Sequence, residues 1–166
     1  MNRPLFVYGS MRDGDVLALV LGRNHPEIRI EPAWMPDAAV ALVPGESYPY
    51  LVSAEGTRAP GAVIYGLDKG CLERVLFFEG DEYAFVECIV ETAGGKRIAA
   101  MHFGGIGIPK GPVVPWSLEQ WQMREKARFL SMTREYMATW RRATRSEAEV
   151  LWQRLLREHS ARDEEP

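Results

Sequence analysis

Five prolines, at positions 32, 36, 44, 49 and 60, fall among four apolar pieces packed closely between Ile28 and Leu67. The pieces are Ile28 to Trp34, Ala38 to Val43, Tyr48 to Ser53 and Gly61 to Leu67, and each reads as a short strand. A proline has no N–H to give to a ladder, so these residues restrict where neighbouring strands can pair. A second region adds two strands, Tyr83 to Thr92 and Lys96 to Phe103, joined by the hairpin signal Ala93-Gly94-Gly95.

Two short helices interrupt the strands. Leu5 to Tyr8 is an apolar run stopped by Gly9-Ser10, the pattern of a buried strand entering a loop. Asp15 then reads as the N-cap of a helix over Val16 to Leu21 that closes at Gly22. Asp68 caps a second helix through Cys71, Leu72, Val75, Leu76 and Phe78, ending at Gly80. The glycines and prolines between Gly104 and Pro115 predict a loop.

Beyond Pro115 the pattern becomes helical. Capping boxes at Ser117-Leu118-Glu119-Gln120 and Ser146-Glu147-Ala148-Glu149 open two helices. The first carries Leu118, Trp121, Phe129, Met132, Tyr136 and Trp140 along one broad face; the second carries Ala148, Leu151, Trp152, Leu155 and His159. Residues 1–115 are thus expected to form an α+β body and residues 116–166 a helical hairpin packed on it. The tail tryptophans 116, 121, 140 and 152 are read as packing the helices together and onto the body; a patch left exposed would be a homodimer or partner surface.

Composition excludes several classes of function. With 46% hydrophobic and 26% charged residues the chain is globular. A net charge of −3, with its arginines scattered, argues against a basic nucleic-acid face. No apolar run reaches the length of a membrane span, and the first one is too short for a signal-peptide core. Cys71 and Cys88 lie in apolar stretches and read as reduced core residues, so a cytoplasmic protein without a structural zinc site is expected.

Two segments can carry chemistry. In Tyr8-Gly9-Ser10-Met11, Gly9 permits a sharp turn whose N–H groups can face an anion or a developing oxyanion; the alternative is a strand that simply ends in a tight turn. In Phe77-Phe78-Glu79-Gly80-Asp81-Glu82-Tyr83, Glu79 follows two phenylalanines at a helix C-terminus. Apolar neighbours and the negative helix end both raise the pKa of such a carboxyl, as general-base work near neutral pH requires; the alternative is a solvated Glu above an inward-facing Phe pair. Glu79, Asp81 and Glu82 read as an acidic turn rather than a metal cage. His102 reads as a core or rim histidine, and His25 and His159 have no triad-like partner nearby in sequence.

Taken in order, Phe6-Val7-Tyr8-Gly9-Ser10-Met11, Tyr48-Pro49-Tyr50-Leu51-Val52, Val63-Ile64-Tyr65-Gly66-Leu67 and Leu76-Phe77-Phe78-Glu79-Gly80 with Tyr83 resemble the gamma-glutamylcyclotransferase-like family over about residues 4 to 103. The resemblance implies a small mixed β-barrel with short flanking helices and a cavity at one mouth. It implies that Glu79 is the catalytic acid/base and that Tyr8, Gly9, Ser10, Met11 and Tyr83 bind the substrate, a small-molecule gamma-glutamyl amide. The reaction implied is cyclisation to 5-oxoproline with release of an amine or amino acid, without metal or organic cofactor. A non-catalytic metabolite-binding or protein-interaction module on the same fold is the alternative. Two positions depart from the family pattern: Phe77 stands where an Asp is frequent, and Ala84-Phe85 where an Arg is frequent.

Overall fold

A computed structural model describes residues 3–22, 25–80, 83–105 and 112–163. Five strands close into a barrel in the order β1-β3-β2-β4-β5. They are β1 (Leu5–Val7), β2 (Arg29–Leu42), β3 (Pro49–Tyr65), β4 (Tyr83–Thr92) and β5 (Arg97–Gly105). β1 is antiparallel to β3 and parallel to β5, so this three-residue strand closes the barrel. Closure leaves no open edge around the core, which is why so short a first strand can be buried on both sides.

The four expected pieces between residues 28 and 67 are two long strands instead. β2 and β3 pair continuously except at Pro36/Ala38, where the register shifts. There Asp37 adopts a positive φ of 54° and its carboxylate accepts the Gly56 N–H at 2.9 Å, while the Thr57 hydroxyl donates to the Ala38 and Ala54 carbonyls. Side-chain hydrogen bonds thus bridge the bulge, and the ladder runs on past Pro36, which the sequence pattern read as a break. The β4–β5 hairpin forms as expected, closed by Gly95 N–H to the Thr92 carbonyl. The first residues expected in the following loop, Gly104 and Gly105, belong to β5, and Val114 to Trp116 runs along β2 through hydrogen bonds from Leu42 to Val114 and from Trp116 to Val40. Residues 106–111 of that loop, like the acidic pair Asp81 and Glu82, lie outside the described residues.

α1 (Gly14–Leu21) begins one residue after Asp13, which replaces Asp15 as the cap because its carboxylate accepts both the Asp15 and Val16 N–H groups. Asp13 is buried and also takes Lys126 Nζ at 2.8 Å and Gln122 Nε2 at 2.7 Å, tying α1 to the C-terminal helices. Burial raises its pKa, but these hydrogen bonds outweigh burial and hold the carboxyl below the usual range. α2 (Lys69–Glu79) is capped by Asp68 as expected, through the Cys71 N–H.

The helical tail differs in two details. The first expected helix is broken at Glu125 into α3 (Leu118–Arg124), capped by Ser117, and α4 (Lys126–Ala138). The last helix, α5 (Arg145–Asp163), opens on a capping box two residues earlier than Ser146: Glu147 accepts the Thr144 N–H and Thr144 Oγ1 accepts the Glu147 N–H. Trp116 and Trp121 join the barrel core with Phe6, Val16, Val20, Val63 and Val75. Each fully buried side chain of this size contributes roughly 1.5–3 kcal/mol. A second cluster joins Phe77 of α2 to Tyr136, Met137 and Ala148, with Trp140 and Trp152 partly buried against it. Among the described residues no helix is long and apolar enough to cross a membrane.

Candidate active site

β1 delivers its exit to one mouth of the barrel. After Val7 the chain passes Tyr8 and Gly9 into a 3-10 turn, Ser10–Arg12. The first hydrogen bond of that turn runs from Arg12 N–H to the Gly9 carbonyl, so the Ser10 and Met11 N–H groups precede it, in the position where a turn leaves donors unused. Gly9 is held against Pro49: a Cβ on Gly9 would lie 3.1 Å from Pro49 Cγ. Tyr8 is buried and its hydroxyl donates to the Phe103 carbonyl at 2.6 Å.

α2 delivers its last residue to the same place. Glu79 is the C-terminal residue of the helix, and Gly80 turns the chain away with φ 76° and ψ −173°, a conformation reserved for glycine. Glu79, Tyr8, Gly9, Ser10, Met11 and Tyr83 all line one cavity of about 190 Å³. Every residue expected at the site is therefore placed around a single space. Tyr83 also donates to the Pro49 carbonyl at 3.4 Å, joining β4 to β3 beside the cavity.

Burial pushes the Glu79 carboxyl up to about 8. Burial is the cause, in keeping with the apolar neighbours expected from the sequence. Desolvation and the adjacent Glu79 charge together raise the Tyr8 phenol well above its ordinary value, so Tyr8 stays protonated and serves as a donor. Its proton is committed to Phe103, while Glu79 is poised to change protonation state near neutral pH.

The cavity has a second wall that the motifs did not indicate. Phe129 and Tyr136 from α4, and Glu149, Trp152, Gln153 and Leu156 from α5, line it opposite the loop. Glu46 and Tyr48, in the connection between β2 and β3, complete the mouth. The aromatic stripe of the tail was the visible signal, but a stripe at helical spacing says only that a face is covered. Here Trp152 contacts Phe129 and Tyr136 edge-on at 5.7 and 5.6 Å while also facing the cavity.

The departure at Phe77 has a structural reason. Its ring packs on Tyr136 at 5.0 Å and Trp140 at 5.2 Å, and the Tyr136 hydroxyl donates to the Phe77 carbonyl at 2.8 Å. The position faces the tail rather than the cavity. Phe85 likewise points away and lies on Phe103 at 4.5 Å. In consequence no Lys, Arg or His is found among the described residues that line the cavity.

The remaining candidates fall outside the cavity. His102 is buried, its Nδ1 has no hydrogen-bond partner, and burial lowers its pKa, so it is a neutral core histidine. His25 does acquire partners from tertiary structure, Cys71 Sγ at 3.5 Å and Glu27 Oε1 at 2.9 Å. The Cys71 thiol is buried and burial raises its pKa, the reverse of what a nucleophile needs. Burial pushes Cys88 to about 11, and both thiols are unpaired. Among the described residues no group of three or more His, Cys, Asp or Glu could hold a metal ion.

Residues 5–112 match the family model described as gamma-glutamyl cyclotransferase, AIG2-like. AIG2-like protein A of Arabidopsis thaliana is 30% identical over 135 residues, covering 80% of each chain. A solution structure of an Arabidopsis thaliana protein superposes with a TM-score of 0.59 at 26% identity, covering 82% of this chain and 91% of that one. A structure titled gamma-glutamyl cyclotransferase shares the fold, with a TM-score of 0.53 at 18% identity over 91% of this chain and 86% of that one.

Proposed function

Because this chain belongs to the AIG2-like gamma-glutamyl cyclotransferase family, we propose that it cyclises a gamma-glutamyl amide to 5-oxoproline and releases the amine. The observation that carries this reading is Glu79, a carboxyl held near 8 by burial, in one cavity with the Tyr8-Gly9-Ser10-Met11 turn. The substrate's own α-nitrogen attacks its γ-carbonyl carbon. A C–N bond forms in the five-membered ring, and the amide C–N bond breaks.

Because nucleophile and electrophile are tethered, the protein's task is to fold the substrate and move protons. The substrate ammonium, placed beside Glu79, favours the carboxylate by charge attraction and then gives it a proton. Glu79 returns that proton to the departing nitrogen, and the second proton of the attacking nitrogen passes to the released amine, which leaves as an ammonium, so the cycle closes without net proton uptake. The Ser10 and Met11 N–H groups are the donors for the tetrahedral oxyanion. The aromatic walls exclude water and strengthen both interactions. The reaction is an acyl transfer with elimination of an amine, and two unpaired thiols suit a cytoplasmic setting.

The test is 5-oxoproline release, measured by mass spectrometry across gamma-glutamyl dipeptides, gamma-glutamyl amines and glutathione. Glu79→Gln is expected to lower turnover by about 10²–10⁴-fold, the usual worth of a positioned acid/base. In the wild type, kcat/KM should rise about tenfold per pH unit toward a plateau near 8, because only the ionised Glu79 accepts the proton. Near-normal activity of the variant would remove Glu79 from the chemistry. A compound that binds and stabilises the protein without product would favour the binding-module alternative.

A further inference from the structure

The last turn of a helix leaves carbonyls without partners from its own backbone, and Glu79 stands in the last turn of α2. Two of those carbonyls are met from the C-terminal tail. The Tyr136 hydroxyl of α4 donates to the Phe77 carbonyl at 2.8 Å. Arg145, the first residue of α5, donates through Nη2 to the Leu76 carbonyl at 3.0 Å. Both donors lie beyond residues 5–112, the span matched to the family model. At α1 the corresponding carbonyls, of Leu19 and Val20, are met from inside that span, by Arg74 of α2.

Tyr136 is buried, and its ring packs on Phe77 at 5.0 Å and meets Trp152 edge-on at 5.6 Å, so the hydroxyl is delivered with a fixed aim. Phe77, where the chain departs from the family pattern, supplies the first of those contacts. A buried hydrogen bond on the Phe77 carbonyl has two effects. It fixes the turn from which the Glu79 side chain leaves the helix, and it offsets the negative helix end at the place where a carboxylate must form. We propose that Tyr136 is a positioning residue for Glu79: its hydroxyl, assisted by Arg145, holds the last turn of α2 so that the carboxyl meets the Tyr8-Gly9-Ser10-Met11 turn across the cavity. The inference rests on the cyclotransferase reading, but the titration of Glu79 tests it without any substrate. Among the described residues, the other titratable groups that line the cavity are Tyr8 from β1, Glu46 and Tyr48 from the β2–β3 connection, Tyr83 from β4 and Glu149 from α5. The substitutions below leave all of them in place.

The experiment compares the full-length wild type with Tyr136→Phe, Arg145→Met and Arg74→Met. The first readout is the midpoint of the Glu79 titration, followed by carbon NMR of the side-chain carboxyl and assigned by its absence in Glu79→Gln. The second is the pH profile of kcat and KM for 5-oxoproline release from the best amide of the panel. Removing the Tyr136 hydroxyl makes ionisation beside the helix end harder, so the midpoint should rise, by about half a pH unit. At the plateau kcat should fall about tenfold while KM changes less than about twofold, because the carboxyl is displaced and the substrate contacts are not. Arg145→Met should move the midpoint in the same direction by less, since that donor is exposed and its charge is screened. Arg74→Met removes comparable bonds from α1 and should leave the midpoint where it is.

An unmoved midpoint in Tyr136→Phe would overturn the inference and make the hydroxyl a purely structural group. A loss confined to KM would overturn it as well, since Tyr136 would then be a substrate contact. So would an equal shift in Arg74→Met, which would trace the effect to lost stability. If Tyr136→Phe does not fold, Arg145→Met set against Arg74→Met decides: a rise in the first alone supports the inference, and no difference between them overturns it. A folded wild type that releases no 5-oxoproline, with the midpoint still raised in Tyr136→Phe, overturns the reaction and leaves the positioning of Glu79 standing.

Discussion

α1 and α2 both end at a glycine with positive φ, and both have carbonyls met by an arginine from another helix. At α1, Gly22 (φ 80°, ψ −2°) follows Leu21, and Arg74 Nε donates to the Val20 carbonyl at 2.6 Å. At α2, Gly80 follows Glu79, and Arg145 donates to the Leu76 carbonyl at 3.0 Å. The caps are alike; the last residues are not. α1 finishes on a buried leucine with its negative end compensated, which is what stability asks for. α2 finishes on a carboxyl set against aromatic walls, where ionisation is costly. One helix end serves the core, and the other keeps a proton available.

The comparison can be broken at Glu79 first. The carboxyl is protonated in the folded protein up to about pH 8 but only to about pH 4.3 when unfolded. Its folded pKa is raised, so its contribution to stability is fully present below the unfolded value and is lost as pH rises through the folded one. Wild type should lose stability relative to Glu79→Gln between about pH 4.5 and 8. The difference at pH 8.5 should be of the order of 5 kcal/mol, read from urea melts of both proteins. A difference that does not change with pH would show that Glu79 ionises freely.

Gly80→Ala comes next. A side chain at φ 76° and ψ −173° costs about 1–3 kcal/mol, and relief of that strain moves Glu79. Stability and kcat should both fall; a melt with intact kcat would mean that the cap does not position the carboxyl. Arg74→Met sharpens the contrast from the other side. It should cost about 1.5–3 kcal/mol through the lost hydrogen bonds to Val20 and Leu19, while leaving the pH profile of turnover unmoved.

Local patterns were legible wherever one short segment decides its own conformation. Asp68, Gly22, Gly80 and the Gly94-Gly95 hairpin are where the sequence placed them, because caps and turns depend on a few adjacent residues. Competing local choices went the other way. Asp13 displaced Asp15 and Thr144 displaced Ser146, since several capping side chains stand within two residues and only packing chooses among them. The break of the expected long helix at Glu125 likewise has no signal of the Gly or Pro type.

For the candidate site, the sequence by itself determined one edge, the one proposed to react. Tyr8-Gly9-Ser10-Met11 and Glu79-Gly80 carry their chemistry in their identities and in the ends of the elements that hold them. Only tertiary structure decided the other edge. Glu46 and Glu149 are about a hundred residues apart, and the aromatic face of α4 and α5 has the same periodicity whether it covers a core or a cavity. The physical reason is that period and propensity are set by neighbours along the chain. Which wall a helix supplies, and the charge it brings there, depends on how the tail folds back over the barrel.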